Sequence, residues 1–92
     1  MALIRCEVLE GPRPGFKTIG VPSIKGHNEY LSIETRFLAK RGDEYLLPVF
    51  VVGRDPGHDT MLVQLPLEAD SGARRVWVRS NIIVSDPDEV PA

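Results

Sequence analysis

A single cysteine, Cys6, occurs among the 92 residues of the chain. A disulfide framework needs an even set of cysteines and a cysteine-rich zinc site needs several, so neither can form within the chain. Long apolar runs are also missing. The longest, residues 46–52, has seven residues and contains Pro48, against the about 20 that a membrane-crossing helix requires. Aromatic residues make up only 7%, with one tryptophan. Neither charge sign dominates: 11 Lys and Arg oppose 13 Asp and Glu, for a net charge of −2. The chain as a whole therefore has no strong pull toward nucleic acid or anionic lipid.

Catalytic and cofactor motifs are absent too. There is no Gly-x-Ser-x-Gly elbow and no Gly-x-x-x-x-Gly-Lys phosphate loop, the signatures of common hydrolases and nucleotide-binding enzymes. Cys6 sits in an alternating apolar stretch, where free cysteine acts as a small buried hydrophobe rather than a nucleophile. Asp55, His58 and Asp59 include types that bind hard or borderline ions. They stand within Asp-Pro-Gly-His-Asp, a sequence with the chemistry of a β-turn, and the turn is the reading adopted. The expectation is a chain without catalytic residues, cofactor or metal.

What is present is ordinary globular material, 42% apolar and 26% charged. At this length one domain is expected, with stability on the order of 5 kcal/mol. The opening Met-Ala-Leu-Ile-Arg-Cys-Glu puts Arg5 and Glu7 where a secretory signal needs an unbroken apolar region, so a cytoplasmic chain is expected.

The apolar residues recur mostly with a period of two. Ala2, Ile4, Cys6 and Val8 share one face of a strand over residues 2–9, with Arg5 and Glu7 opposite. The two Pro and two Gly of residues 10–15 make a loop, residues 17–21 a short strand, and residues 23–28 a polar loop. Residues 29–38 alternate as a strand, although Leu31, Glu34, Thr35 and Leu38 also fit a turn and a half of helix. The content of Tyr, Ile, Thr and Phe favours the strand. Gly42 marks a turn needing positive φ, and residues 44–52 form a dense apolar strand in which Pro48 predicts an edge or a bulge. Residues 54–59 reverse the chain, residues 60–66 alternate again, and residues 68–73 turn into the last strands. This pattern predicts an all-β fold, a small five- or six-stranded barrel over residues 1–85, followed by a flexible acidic tail, residues 86–92.

The last third resembles bacterial Src-homology-3-type domains. In that family a strand and a glycine-bearing turn lead to a Gly-Trp-Val-like strand, a one-turn helix and a final strand. Met61 to Leu65, Ser71-Gly72, Val76-Trp77-Val78 and Ser80-Asn81-Ile82-Ile83 look like that order. Val76 stands at the position of the family's glycine. The resemblance implies an SH3-like barrel and peptide binding.

Arg75, Trp77 and Arg79 alternate with Val76 and Val78, so in a strand they share the outer face. Tryptophan and arginine are the types most enriched at binding hot spots, and such a stripe can grip a peptide by cation–π contact or stack a base. The expected function is a non-catalytic protein-interaction or accessory module that binds another protein or peptide through this face. The alternatives are an RNA- or DNA-associated small barrel and an accessory subunit of an enzyme complex. The competing view of Trp77 is that a neighbouring loop covers it.

Overall fold

The structure, a computed structural model, describes residues 1–85; the acidic tail, residues 86–92, lies outside the described residues. These form an all-β fold of two antiparallel sheets. The strands are β1 (Ala2–Ile4), β2 (Glu7–Glu10), β3 (Phe16–Pro22), β4 (Asn28–Glu34), β5 (Ala39–Arg41), β6 (Glu44–Asp55), β7 (Thr60–Gln64), β8 (Arg75–Arg79) and β9 (Ile83–Ser85). One sheet runs β8-β7-β6-β1-β9, with β5 also paired to β6; the other runs β2-β3-β4. Among the described residues no ladder joins β8 to β9, so the larger sheet stays open. The strands number nine among the described residues, rather than five or six, because residues 7–34 supply a sheet of their own. Among the described residues no helix is long and apolar enough to cross a membrane.

The core lies between the sheets. Ile19, Val21, Leu31 and Ile33 from the smaller sheet meet Ala2, Ile4, Leu47, Val49, Val63, Val76 and Val78 from the larger, all in one buried cluster. In β4 the alternation is plain: Leu31 and Ile33 are buried while Tyr30 and Ser32 are not.

Further sequence expectations need correction. Residues 2–9 form two strands, not one. At Arg5 and Cys6 the chain leaves the larger sheet, where β1 pairs with β6 and β9, and enters the smaller, where β2 pairs with β3. The Arg5 N–H donates to the Ile82 carbonyl at 2.9 Å at that corner. Cys6 is half-buried there and packs against the core. The strand expected over residues 29–38 stops at Glu34 and becomes a 3₁₀ turn, Thr35–Phe37. Its ladder ends because the Thr35 N–H is taken by the Gly15 carbonyl at 2.9 Å and the Leu38 N–H bonds back to Thr35 at 3.0 Å.

The long strand β6 is central, not an edge, and its bulge falls between Val51 and Gly53 rather than at Pro48. Pro48 is tolerated because its ladder partner is Leu3 alone: the β5 pairing ends at Leu46 and the β7 pairing begins at Phe50. The missing N–H therefore interrupts no second ladder. Finally, the strand expected over residues 60–66 ends at Gln64, two residues early. The turn between β5 and β6 behaves as expected, with Gly42 at φ +61°, a conformation that penalises any Cβ.

Candidate functional site

Strand β8 has the exposure pattern its sequence predicts. Val76 and Val78 are buried, and Arg75, Trp77 and Arg79 are exposed. The three candidate residues thus come together on one face, aligned with Gln64, Leu62 and Thr60 of β7. Arg75 donates from Nε to Gln64 Oε1 at 3.2 Å. No hydrogen bond or ion pair engages the Arg79 side chain among the described residues.

Trp77 is 37% exposed. Its ring extends across Leu62 toward Gly53, where an added Cβ would lie 3.3 Å from Leu62 Cβ and 3.9 Å from Trp77 Cη2. On the other side the loop after β3 presses in, and the Ile24 N–H donates to the Trp77 carbonyl at 3.0 Å. Trp77 is therefore partly covered by a loop and partly open. Arg75 and Arg79 are not stacked on its ring; the cation–aromatic pairs lie elsewhere, at Arg13–Phe16, Arg36–Phe37 and Lys40–Tyr45.

Two shallow clefts meet at Trp77 and Ile24. One, of about 460 Å³, also has Asp55, His58, Thr60 and Arg79 in its wall. The other, of about 130 Å³, includes Lys25, Glu29 and Arg75. Each cleft therefore contains groups of both charge signs.

The polar groups of these clefts are held by local bonds. The turn expected over residues 54–59 is confined to residues 56–59, because β6 runs on through Asp55, and Asp59 lies in the left-handed region at φ 54°. His58 Nδ1 lies 2.8 Å from Asp55 Oδ2. Asp59 instead accepts a hydrogen bond from the Ser80 hydroxyl. The two carboxylates thus turn to different partners, and among the described residues no three His, Cys, Asp or Glu side chains are grouped to hold a metal ion. Across the other cleft Ser71 Oγ donates to Glu29 Oε1 at 2.7 Å, and His27 Nε2 lies 3.3 Å from Glu29 Oε2. The Ser71 bond, followed by the His27 bond and the nearby cations, holds the Glu29 carboxyl below its usual range.

Sequence reasoning missed Ile24, a lone apolar residue in a polar loop. It also missed a second surface, an apolar groove walled by Phe16, Phe37, Phe50 and Leu67 from four separate segments. The signal for the groove was weak, since Phe50 lies in an unbroken apolar run. No protein-family model, curated protein or solved structure matches the chain.

Proposed function

We propose that this chain is a non-catalytic, cytoplasmic protein-interaction module of SH3-like topology. It binds another protein or peptide through the outer face of β8, with Trp77 as anchor and Arg75 and Arg79 beside it. The observation that carries this reading is the position of Trp77, the sole tryptophan, as a partly open ridge between two clefts. An aromatic anchor with arginines and mixed polar groups around it is the composition of a protein-binding hot spot.

The SH3-like reading is supported by the chain order in the last third. A strand (β7), a turn, the tryptophan strand β8, a 3₁₀ turn (Ser80–Ile82) and the final strand β9 follow one another as in that family. The five-strand path β8-β7-β6-β1-β9 has the strand number of a small barrel, with the β2-β3-β4 sheet inserted between β1 and β6. Mixed charge in both clefts favours protein over nucleic acid, because phosphate tracking calls for a continuous positive stripe. Asp55 and Glu29 interrupt it.

Trp77 emission provides the test, since no other tryptophan contributes. Single-stranded oligonucleotides added at low salt should leave the emission unchanged, whereas a captured protein partner should shift it. A salt-sensitive response to oligonucleotides, with no response to any protein, would replace this reading by a nucleic-acid one.

A further inference from the structure

Formal charge and available charge differ around Trp77. Its two clefts hold both signs, but the carboxylates there already have partners. Asp55 Oδ2 lies 2.8 Å from His58 Nδ1. Glu29 accepts from the Ser71 hydroxyl at 2.7 Å, and His27 Nε2 lies 3.3 Å from its other oxygen. The two arginines are in a different position. No ion pair joins Arg75 or Arg79 to a carboxylate among the described residues. Arg75 meets the neutral amide oxygen of Gln64 at 3.2 Å, and the Arg79 side chain meets no hydrogen-bond partner among the described residues. Both guanidiniums therefore keep N–H groups without an anionic acceptor, and a carboxylate is the acceptor that their forked geometry matches.

An apolar shelf separates the two cations. Trp77 and Ile24 are 37% and 42% exposed and belong to both clefts. Arg75 lines the cleft on one side of them and Arg79 the cleft on the other. The spacing is set by the pleat of β8. Alternate residues share a face at about 3.3 Å per residue, so Arg75 and Arg79 are about 13 Å apart with Trp77 midway.

A second extended chain has the same repeat. An acidic residue, an apolar one two positions on and an acidic one two further would meet Arg75, Trp77 and Arg79 in register, whichever way the chain runs. Side chains on the sheet face make this contact. Strand addition at the edge of β8 is blocked at its centre, where the Trp77 carbonyl already accepts from the Ile24 N–H. A phosphate backbone would also carry its charge past Asp55 and Glu29, whereas isolated carboxylates need not.

Resting on the reading of β8 as a protein-binding face, we propose that its partner is an extended acidic segment of the pattern acidic–x–apolar–x–acidic. The carboxylates meet Arg75 and Arg79, and the apolar side chain lies on Trp77 and Ile24.

Fluorescence anisotropy with the intact chain tests this. The probes are labelled peptides carrying Glu-x-Leu-x-Glu, Gln-x-Leu-x-Gln or Lys-x-Leu-x-Lys, with serine at x, and a scramble of the first with its glutamates adjacent. The glutamate form should bind about fivefold more tightly than the glutamine form or the scramble, and the lysine form should bind least. Trp77→Ala should weaken the glutamate form at least about tenfold. Arg75→Glu with Arg79→Glu should reverse the order and favour the lysine form, a result that an unfolded variant cannot produce.

Equal binding of the glutamate and glutamine forms, both lost with Trp77→Ala, would overturn the acidic pattern and leave β8 as a protein-binding face. Glutamate binding that neither variant weakens would place the ligand elsewhere and overturn the proposal. Failure of every peptide to bind would overturn it too, while the β8 reading would still stand or fall on Trp77-dependent capture of a whole protein. A single-stranded oligonucleotide that binds through Arg75 and Arg79 more tightly than the glutamate peptide would overturn it in favour of phosphate.

Discussion

The Ile24 N–H donates to the carbonyl of Trp77 at 3.0 Å, and this bond ties the β3–β4 connection to the outer edge of β8. The geometry follows from the ladder. Leu65 N–H bonds to Arg74, and Ser80 N–H to Asp59, at either end of the β7–β8 pairing. Antiparallel pairs alternate between bonded and non-bonded, so Val63–Val76 and Met61–Val78 are bonded pairs and Leu62–Trp77 is not. The backbone of Trp77 therefore faces away from β7. Ile24 takes its carbonyl and shields part of an edge that would otherwise be open to strand addition.

The Ile24 amide should consequently be protected although it lies in a loop. Native-state hydrogen exchange is expected to show it at least about tenfold slower than the unprotected chain rate. Exchange at the unprotected rate would mean that the loop does not rest on β8.

Trp77 should contribute to stability as well as binding, because its ring covers Leu62 and the Cβ-free surface of Gly53. Truncation to alanine is expected to cost about 2 kcal/mol, less than the 3–5 of a fully buried aromatic. For a chain of this size that lowers the melting temperature by about 10 °C. Arg79→Glu removes no bond among the described residues and should stay within about 0.5 kcal/mol. Thermal melts of the two variants check both values.

Much of this face was legible in the sequence, and the reason is simple. In β8 one face meets the core and the other meets water, so Arg75, Val76, Trp77, Val78 and Arg79 record the pleat directly. The same holds for Leu31 and Ile33 in β4. The corner at Arg5 and Cys6 was not legible. Ala2, Ile4, Cys6 and Val8 keep their period of two through the change of sheet, and local patterning carries no record of which strand lies alongside. Residues 35–38 were misread because their hydrogen bonds depend on Gly15, far back in the chain. The groove was hidden for another reason: residues 46–52 are apolar on both faces, so periodicity does not show that Phe50 and Val52 point outward.

Cys6 should be a poor nucleophile. Burial is the main cause that pushes its thiol up from 9.0 to about 11, with Glu44 adding and a backbone bond at Leu47 opposing. A shift of that size leaves about a hundredfold less thiolate at a given pH below 9. Alkylation at pH 8 should be correspondingly slow in the native protein and fast in denaturant. A pKa raised on folding favours the folded state below the unfolded value and loses that contribution above it. Stability should therefore decline between pH 9.0 and about 11, and Cys6→Ala should flatten that decline.

The Glu29–Ser71 bond predicts the opposite behaviour at acid pH. A carboxyl held below its ordinary value of 4.5 by Ser71 and His27 stabilises the folded state when ionised. That contribution is complete at neutral pH and is lost as pH falls below 4.5 through the depressed folded value. Urea midpoints measured at pH 7 and pH 3 should differ less for Glu29→Gln than for the parent chain. Identical differences would show that the bond does not form in solution.

The central claim is that Trp77 and its arginines capture a protein, and Arg79→Glu tests it most directly because it leaves the fold intact. The measurement is partner capture from native lysate, with parent chain, Arg79→Glu and Trp77→Ala compared at low temperature and each melt recorded alongside. The expected result is one protein retained by the parent, lost with Trp77→Ala, and strongly reduced with Arg79→Glu at an unchanged melting temperature. Retention of the same protein by both variants would contradict the claim and leave Trp77 as packing for the loop at Ile24.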